Sequence, residues 1–268
     1  MNNLIQWSSA KYWTRAWNPI IGCKPCSPAC ENCYAAAWAK RFHKSFAPTV
    51  YPQTRPSRSG VVFCGNMTDL FGEWLFQSPG NYILKSTEDF ISKCDSPKAT
   101  YLWLTKRVER MALSLSVGQT TTVDEEGDVH YIRIRDLDLS NHYFGFTAEN
   151  QKWHDRRAEQ ALLTFPTWAN NWMSCEPLLG PIDLKFSGLT LGGRPAYDWL
   201  VVGCESGPNR RPCKLEWVEE IVEQCRAANV PVFVKQLDIG GKCVTDINKF
   251  PRHLRIRQVP WAKEGSAK

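Results

Sequence analysis

Trp199-Leu-Val-Val-Gly-Cys-Glu-Ser-Gly207 opens the stretch that decides the fold. Its first four residues are a continuous apolar run, short and bounded by turn-forming residues, the pattern of a strand buried on both faces. An amphipathic helix follows over Leu215–Ala228, and Val230-Pro-Val-Phe-Val234 gives a last strand ending in Lys235-Gln236. Strand, helix, strand, with polar residues where each strand ends, is the repeating unit of a parallel sheet with right-handed crossovers.

The same rhythm runs upstream. Gly60-Val-Val-Phe-Cys64 ends in Gly65-Asn66-Met67-Thr68-Asp69, and a helix is expected across Tyr82–Lys93. Thr100–Leu104 ends in Thr105-Lys106-Arg107, with a helix over Val108–Leu115. Tyr143–Phe146 ends in Thr147-Ala148-Glu149-Asn150, with a helix across Asp155–Leu163, and Asn171–Ser174 ends in Cys175-Glu176-Pro177. The fold class expected is α/β, a partial or near-complete (β/α) barrel forming one domain over 1–268. Polar strand ends at successive C-terminal edges favour a lined cavity on that rim, where barrels of this class build their sites. Residues 120–135 read as an inserted β-hairpin turning near Glu126-Gly127. The segment 240–268 is basic (Lys249, Arg252, Arg255, Arg257) with Phe250 and Trp261 interleaved. It reads as a solvated surface tail, with a nucleic-acid contact as the sharper alternative.

Composition narrows the class. At 268 residues, 43% hydrophobic and 22% charged, the chain suits a soluble globular protein. No apolar run approaches the roughly 18–20 residues that span a bilayer, and the N-terminus lacks the basic start and apolar core of a signal peptide, so a cytoplasmic protein with no membrane partner is expected. The net charge of +6 is compatible with a nucleic-acid partner without demanding one. Of 11 cysteines, Cys64, Cys94, Cys175, Cys204, Cys213, Cys225 and Cys243 are scattered singly and read as buried apolar fillers.

The other cysteines fall together in Cys23-Lys-Pro-Cys-Ser-Pro-Ala-Cys-Glu-Asn-Cys-Tyr34. Two prolines and the Gly22-Cys23 junction make regular structure unlikely between Cys23 and Cys30, so the segment reads as a loop that folds its sulfurs around a ligand. Three chemistries compete. As two Cys-x2-Cys pairs it suits zinc, yet structural zinc sites separate such pairs by a dozen or more residues. As four thiolates it could saturate a [4Fe-4S] cluster, although the 2-3-2 spacing differs from the 2-2-3 of bacterial ferredoxins. As Cys23, Cys30 and Cys33 alone, with Cys26 spare, it holds three irons and leaves a fourth open to chelate the amino and carboxylate groups of S-adenosylmethionine. One-electron reduction of that sulfonium gives a 5′-deoxyadenosyl radical; the hard chemistry belongs to the cofactor.

The loop resembles that of the radical SAM superfamily, whose usual spacing is Cys-x3-Cys-x2-Cys with an aromatic just before the last cysteine. Here the first gap is wider and the aromatic, Tyr34, comes after. More closely, the chain resembles a phage- and prophage-encoded radical-SAM-like family with a three-cysteine motif and no assigned function. The resemblance runs through Trp17–Cys23, Ser27–Tyr34, Asn66–Phe71, Leu104–Arg107, Glu149-Asn150, Cys175–Asp183, Gly203–Gly207, Arg211-Pro212, Val234–Gln236 and Phe250–Arg252.

The resemblance implies a cluster loop after the first strand and later strand ends that hold S-adenosylmethionine. Gly65, Asn66 and Asp69 match the strand end that meets the methionyl amino group. Thr105, Lys106, Thr147, Glu149, Glu205 and Ser206 are the candidates for its carboxylate and ribose, with Lys106 suited to the carboxylate. For each acid, a helix cap or rim salt bridge is the competing role. Glu176 and Lys235 point to where substrate would lie and are the candidate catalytic residues. A nucleic acid or nucleotide is the substrate expected, from the basic balance, the aromatic surplus and the cations Lys106, Arg107, Arg110, Lys152, Arg156, Arg157, Arg210 and Arg211. A flavodoxin or ferredoxin would supply electrons. A non-catalytic iron–sulfur or zinc module is the competing class.

Overall fold

The computed structural model describes residues 7–51, 53–76, 87–123, 129–165, 169–186, 190–191, 194–195 and 197–261. Eight strands form one sheet: β1 (Arg15–Trp17), β2 (Gly60–Cys64), β3 (Ala99–Thr105), β4 (His142–Thr147), β5 (Asn170–Cys175), β6 (Trp199–Gly203), β7 (Val232–Ile239) and β8 (Lys242–Val244). They lie side by side in chain order. Every neighbouring pair is parallel except β7 with β8, which is antiparallel. Helices α1 (Tyr34–Arg41), α2 (Thr87–Ser92), α3 (Val108–Val117), α4 (Gln151–Thr164) and α5 (Leu215–Ala227) supply five of the six parallel crossovers, and the one from β5 to β6 has no helix among the described residues.

The sheet curls without closing. In a flat sheet β2 and β7 would be about 24 Å apart, five strand spacings. Yet the ring of Tyr12 lies 6.0 Å from that of Phe63 on β2 and 5.5 Å from that of Phe233 on β7. It also meets Trp172 on β5 and Trp199 on β6 edge-on. These rings, with Val61, Leu102, Val201 and Val259, form an apolar plug on the concave face, while a larger core joins the convex face to the helices. The architecture is a mixed α/β half-barrel.

Five expected strands appear within a residue or two of their sequence bounds. The last one differs. β7 begins at Val232 and runs through Lys235 and Gln236 to Ile239, where Gly240 and Gly241, both at positive φ, turn the chain into β8. Helix α4 starts four residues earlier than expected, because Asn150 caps it by accepting from the Trp153 amide at 3.2 Å. The helix expected over Tyr82–Lys93 is seen as Thr87–Ser92; its first residues lie outside the described ones. The inserted hairpin pairs Gln119–Val123 with Val129–Arg133, and its turn lies outside the described residues. The cysteine loop contains one 3-10 turn, Pro28–Cys30.

The C-terminal segment is not a solvated tail. Phe250, Leu254 and Val259 are buried, and Arg257 is buried too, donating to the carbonyls of Ser8, Val234, Lys235 and Thr245. A guanidinium with that many carbonyl acceptors can be buried because its donors are satisfied. Residues 262–268 lie outside the described ones. The scattered cysteines are buried as expected, apart from the half-buried Cys243. Among the described residues no helix is long and apolar enough to cross a membrane.

Candidate functional site

A cavity of about 810 Å³ opens at the C-terminal ends of the strands, above the aromatic plug. Its wall brings together the cysteine loop (Cys23, Cys26, Cys30, Cys33), the β2 end (Gly65, Asn66, Asp69), the β3 end (Thr105, Lys106), Thr147, Glu176, the β6 end (Glu205, Ser206) and Lys235. The resemblance-derived residues therefore converge, except Glu149. That carboxylate is fully buried behind the wall, 2.7 Å from Arg157, and its second oxygen has no hydrogen-bond partner among the described residues.

Several expected ligand groups are already engaged. Asp69 accepts from the Thr105 hydroxyl (2.7 Å), the Phe71 amide (3.1 Å), the Lys106 amide (3.0 Å) and the Arg107 guanidinium (3.1 Å). A carboxylate offers about four lone-pair sites, so Asp69 has none left for a methionyl ammonium. Glu205 is similarly filled, by Asn32 at 2.9 Å, the Arg211 amide at 2.8 Å and the Arg211 guanidinium. Both acids act through arginine on the cysteine loop: Arg107 donates to the Lys24 carbonyl at 3.0 Å, and Arg211 to the Pro28 carbonyl and to Glu31, each at 3.0 Å. With Arg157 on Glu149 and Arg210 on Asp238, four of the cations expected to meet phosphate are turned inward to acids.

Local sequence explains the β2 corner. Gly65 sits at φ +80°, and a Cβ there would stand 2.7 Å from Leu70 Cγ; only glycine takes that turn without strain. Asn18 donates to Asn66 Oδ1 at 2.7 Å and accepts from the Met67 amide at 2.9 Å, while Tyr34 donates its hydroxyl to the Asn66 carbonyl. Lys235 and Glu176 form an ion pair on the cavity wall, with the ammonium 5.6 Å from the Trp13 ring centroid. Asn18, Asn32, Tyr12, Trp13 and Ser174 belong to the site or its support, and the sequence reading missed them. For Asn32 the one available signal was its place inside the cysteine loop.

The thiols differ in character. Burial, with Asp69 adding to it, pushes Cys23 up to about 11. Cys26 donates to Cys30, which lowers Cys30 to about 4 and raises Cys26 itself. Lys106, on the same wall, also favours the Cys30 thiolate. Among the described residues no three His, Cys, Asp or Glu side chains are grouped to hold a single metal ion.

The model of a family described as a protein of unknown function (DUF5131) matches residues 5–253. The chain belongs to that family. The matched span takes in the whole sheet, the cysteine loop and every residue named on the cavity wall. No curated protein and no solved structure matches the chain.

Proposed function

We propose that this DUF5131 member is a radical SAM enzyme acting on a nucleic acid or nucleotide, with a [4Fe-4S] cluster and S-adenosylmethionine as cofactors and a flavodoxin or ferredoxin as electron donor. The observation that carries it is the convergence of a cysteine-rich loop and the successive strand ends of a half-barrel on one cavity. Each thiolate of such a cluster holds a different iron, and Cys23, Cys30 and Cys33 all border the cavity.

Bound there, cluster and S-adenosylmethionine would supply a carbon-centred radical able to take hydrogen from an unactivated carbon. The chain's own residues bind and orient. Lys106 would pair the cofactor carboxylate, since it lines the cavity and has no ion pair among the described residues. The Asn66 side chain, fixed by Asn18, sits at the turn where a methionyl ammonium is expected. Asp69 and Glu205 hold the loop through Arg107 and Arg211. Glu176 and Lys235, paired on the wall, would meet the substrate: the ammonium can donate to a base or phosphate oxygen, and the carboxylate keeps it charged.

Anaerobic reconstitution with iron and sulfide, then dithionite and S-adenosylmethionine, tests the class by chromatography of 5′-deoxyadenosine. The nucleoside is expected from the wild-type chain and from Cys26→Ala, and should be lost in Cys23→Ala, Cys30→Ala and Cys33→Ala. No 5′-deoxyadenosine from a chain that holds its iron would defeat the proposal. Loss of iron in Cys26→Ala would favour the competing four-thiol module.

A further inference from the structure

Helix α1 carries a surface that the cavity chemistry leaves unused. Tyr34, Trp38 and Phe42, the last at the helix C-cap, recur every four residues and therefore share one face. They are 53%, 40% and 51% exposed, three of the few large apolar side chains left in solvent. Trp38 and Phe42 lie against each other, ring centroids 5.0 Å apart. Lys44 stands 5.2 Å from the Trp38 centroid and Arg41 5.8 Å from that of Phe42.

The stretch of chain that carries this face has charge of one sign. From Asn32 to Thr68 the chain contains Lys40, Arg41, Lys44, Arg55 and Arg58 and not one Asp or Glu. The face also begins at the cavity, because Tyr34 both lines the wall and starts the helix. Exposed rings interleaved with cations are the makings of a platform for single-stranded nucleic acid, in which bases stack on rings and phosphates meet lysine or arginine. The Trp38 and Phe42 rings, 5.0 Å apart, are tilted by 50° to each other, unlike the parallel steps of about 3.4 Å in a stacked strand, so they suit unstacked, splayed bases rather than a duplex.

We propose that α1 is the entry track for a single strand of nucleic acid, with Trp38 and Phe42 taking bases, Arg41 and Lys44 taking phosphates, and the strand reaching the cavity past Tyr34. This rests on the reading of the cavity as a nucleic-acid or nucleotide site and names the form in which the substrate arrives. It also relocates the phosphate contacts, since Arg107, Arg157, Arg210 and Arg211 are committed to internal acids.

The test is fluorescence anisotropy of labelled 12-nucleotide single strands and the matching duplex, titrated with the full chain over a salt series. Wild-type protein is expected to prefer the single strand. Trp38→Ala and Phe42→Ala should each weaken it about five- to a hundredfold, and Trp38→Phe should recover most of the loss. Replacing Arg41 and Lys44 by Gln should flatten the dependence of log K on log salt by about 0.7 per cation. Both rings are exposed, so a matching melting temperature will show that the variants fold. Unchanged binding in Trp38→Ala and Phe42→Ala, or a preference for duplex, overturns the track. So does loss of flavodoxin-driven reduction in those variants with strand binding intact, which would make the face a protein dock. A dimer in sedimentation that the ring substitutions dissolve overturns it as well. The titration needs neither cofactor nor turnover, so strand binding with no 5′-deoxyadenosine would sink the enzyme and spare the track. 5′-Deoxyadenosine formation with no strand binding would do the reverse.

Discussion

Replacing Asp69 by Ala should cost far more stability than one surface carboxylate normally contributes. Asp69 and Arg107 are each only 8% exposed at the side chain. Removing the acid leaves the guanidinium with the half-exposed Glu73 at 3.5 Å as its counter-charge, and breaking one side of a buried pair costs about 3–5 kcal/mol. The same change leaves the Thr105 hydroxyl and the amides of Phe71 and Lys106 short of an acceptor, at about 1 kcal/mol apiece. These terms overlap, so a total near 4 kcal/mol is expected, a large part of the roughly 5–15 kcal/mol that holds a domain together. Urea unfolding followed by tryptophan fluorescence measures it, with Asp69→Asn as the milder variant should Asp69→Ala fail to fold. Asn keeps one acceptor oxygen but turns an NH2 toward donors, so about half the loss is expected. A double-mutant cycle with Arg107→Met carries the decisive reading. Once the cation is gone no buried charge is left stranded, so the pair together should cost about 1–3 kcal/mol less than the sum of the singles. Additive losses, or a loss below about 1 kcal/mol for Asp69→Ala, would refute the view that Asp69 is committed to Arg107 and not available to a cofactor.

Three further outcomes follow from the packing. His142 is buried, accepts from the Trp103 indole at Nδ1 (3.2 Å) and donates from Nε2 to the Cys94 carbonyl (2.9 Å), and burial lowers it from 6.5 to about 4. Its folded value lies below its unfolded one, so the unfolded chain binds the extra proton between pH 6.5 and 4. Stability should fall by roughly 3 kcal/mol across that window as the pH drops, and urea midpoints at pH 7, 6, 5 and 4.5 should show a smaller slope in His142→Asn; an identical slope would discount the histidine. Gly65→Ala should lose about 2 kcal/mol, from a positive φ and a Cβ pressed on Leu70, and a neutral result in the same urea assay would mean the turn relaxes at no cost. Arg211→Leu should speed amide exchange at Cys30 and Glu31, whose N–H groups bond to Ser27 and Pro28 inside the loop that Arg211 pins. Unchanged protection there would remove Arg211 from its role as an anchor.

How far the sequence could be read depends on what each segment is buried against. Strands such as β3 and β6 are covered on both faces, so they appear as unbroken apolar runs and their ends were legible. β1 is three residues long and starts with an exposed Arg15, which gives no such run. β7 continued past its apolar half because Lys235 and Gln236 remain in the ladder while facing the site, and polar residues there imitate a strand end. Arg257 was misread for a different reason. Its burial rests on carbonyls from Ser8, Val234, Lys235 and Thr245, segments that only the folded chain assembles. At the site, the residue types at the strand ends were legible, but their occupancy was not. Nothing local distinguishes an acid awaiting a ligand from one such as Asp69, engaged by an arginine 38 residues on, or Glu205, engaged by one six residues on.

Those two acids explain how an irregular loop can present its thiols in a fixed order. Cys23–Cys33 has a single 3-10 turn and two prolines, so little of its conformation is enforced from within; each residue it fixes costs on the order of 1–2 kcal/mol in backbone entropy. The restraint comes from the sheet, through Arg107 at the end of β3 on the Lys24 side and Arg211 after β6 on the Pro28–Asn32 side. β3 and β6 are three strands apart, about 14 Å in a flat sheet, and the curl of the half-barrel determines how much of that distance remains between the anchors. That curl is in turn supported by the Tyr12 ring, which meets Phe63, Trp172, Trp199 and Phe233 across the concave face. The separation of the thiols is therefore a property of the aromatic plug beneath them as much as of the loop's own spacing. A motif read only as Cys-x6-Cys-x2-Cys leaves out the part of the molecule that sets its geometry.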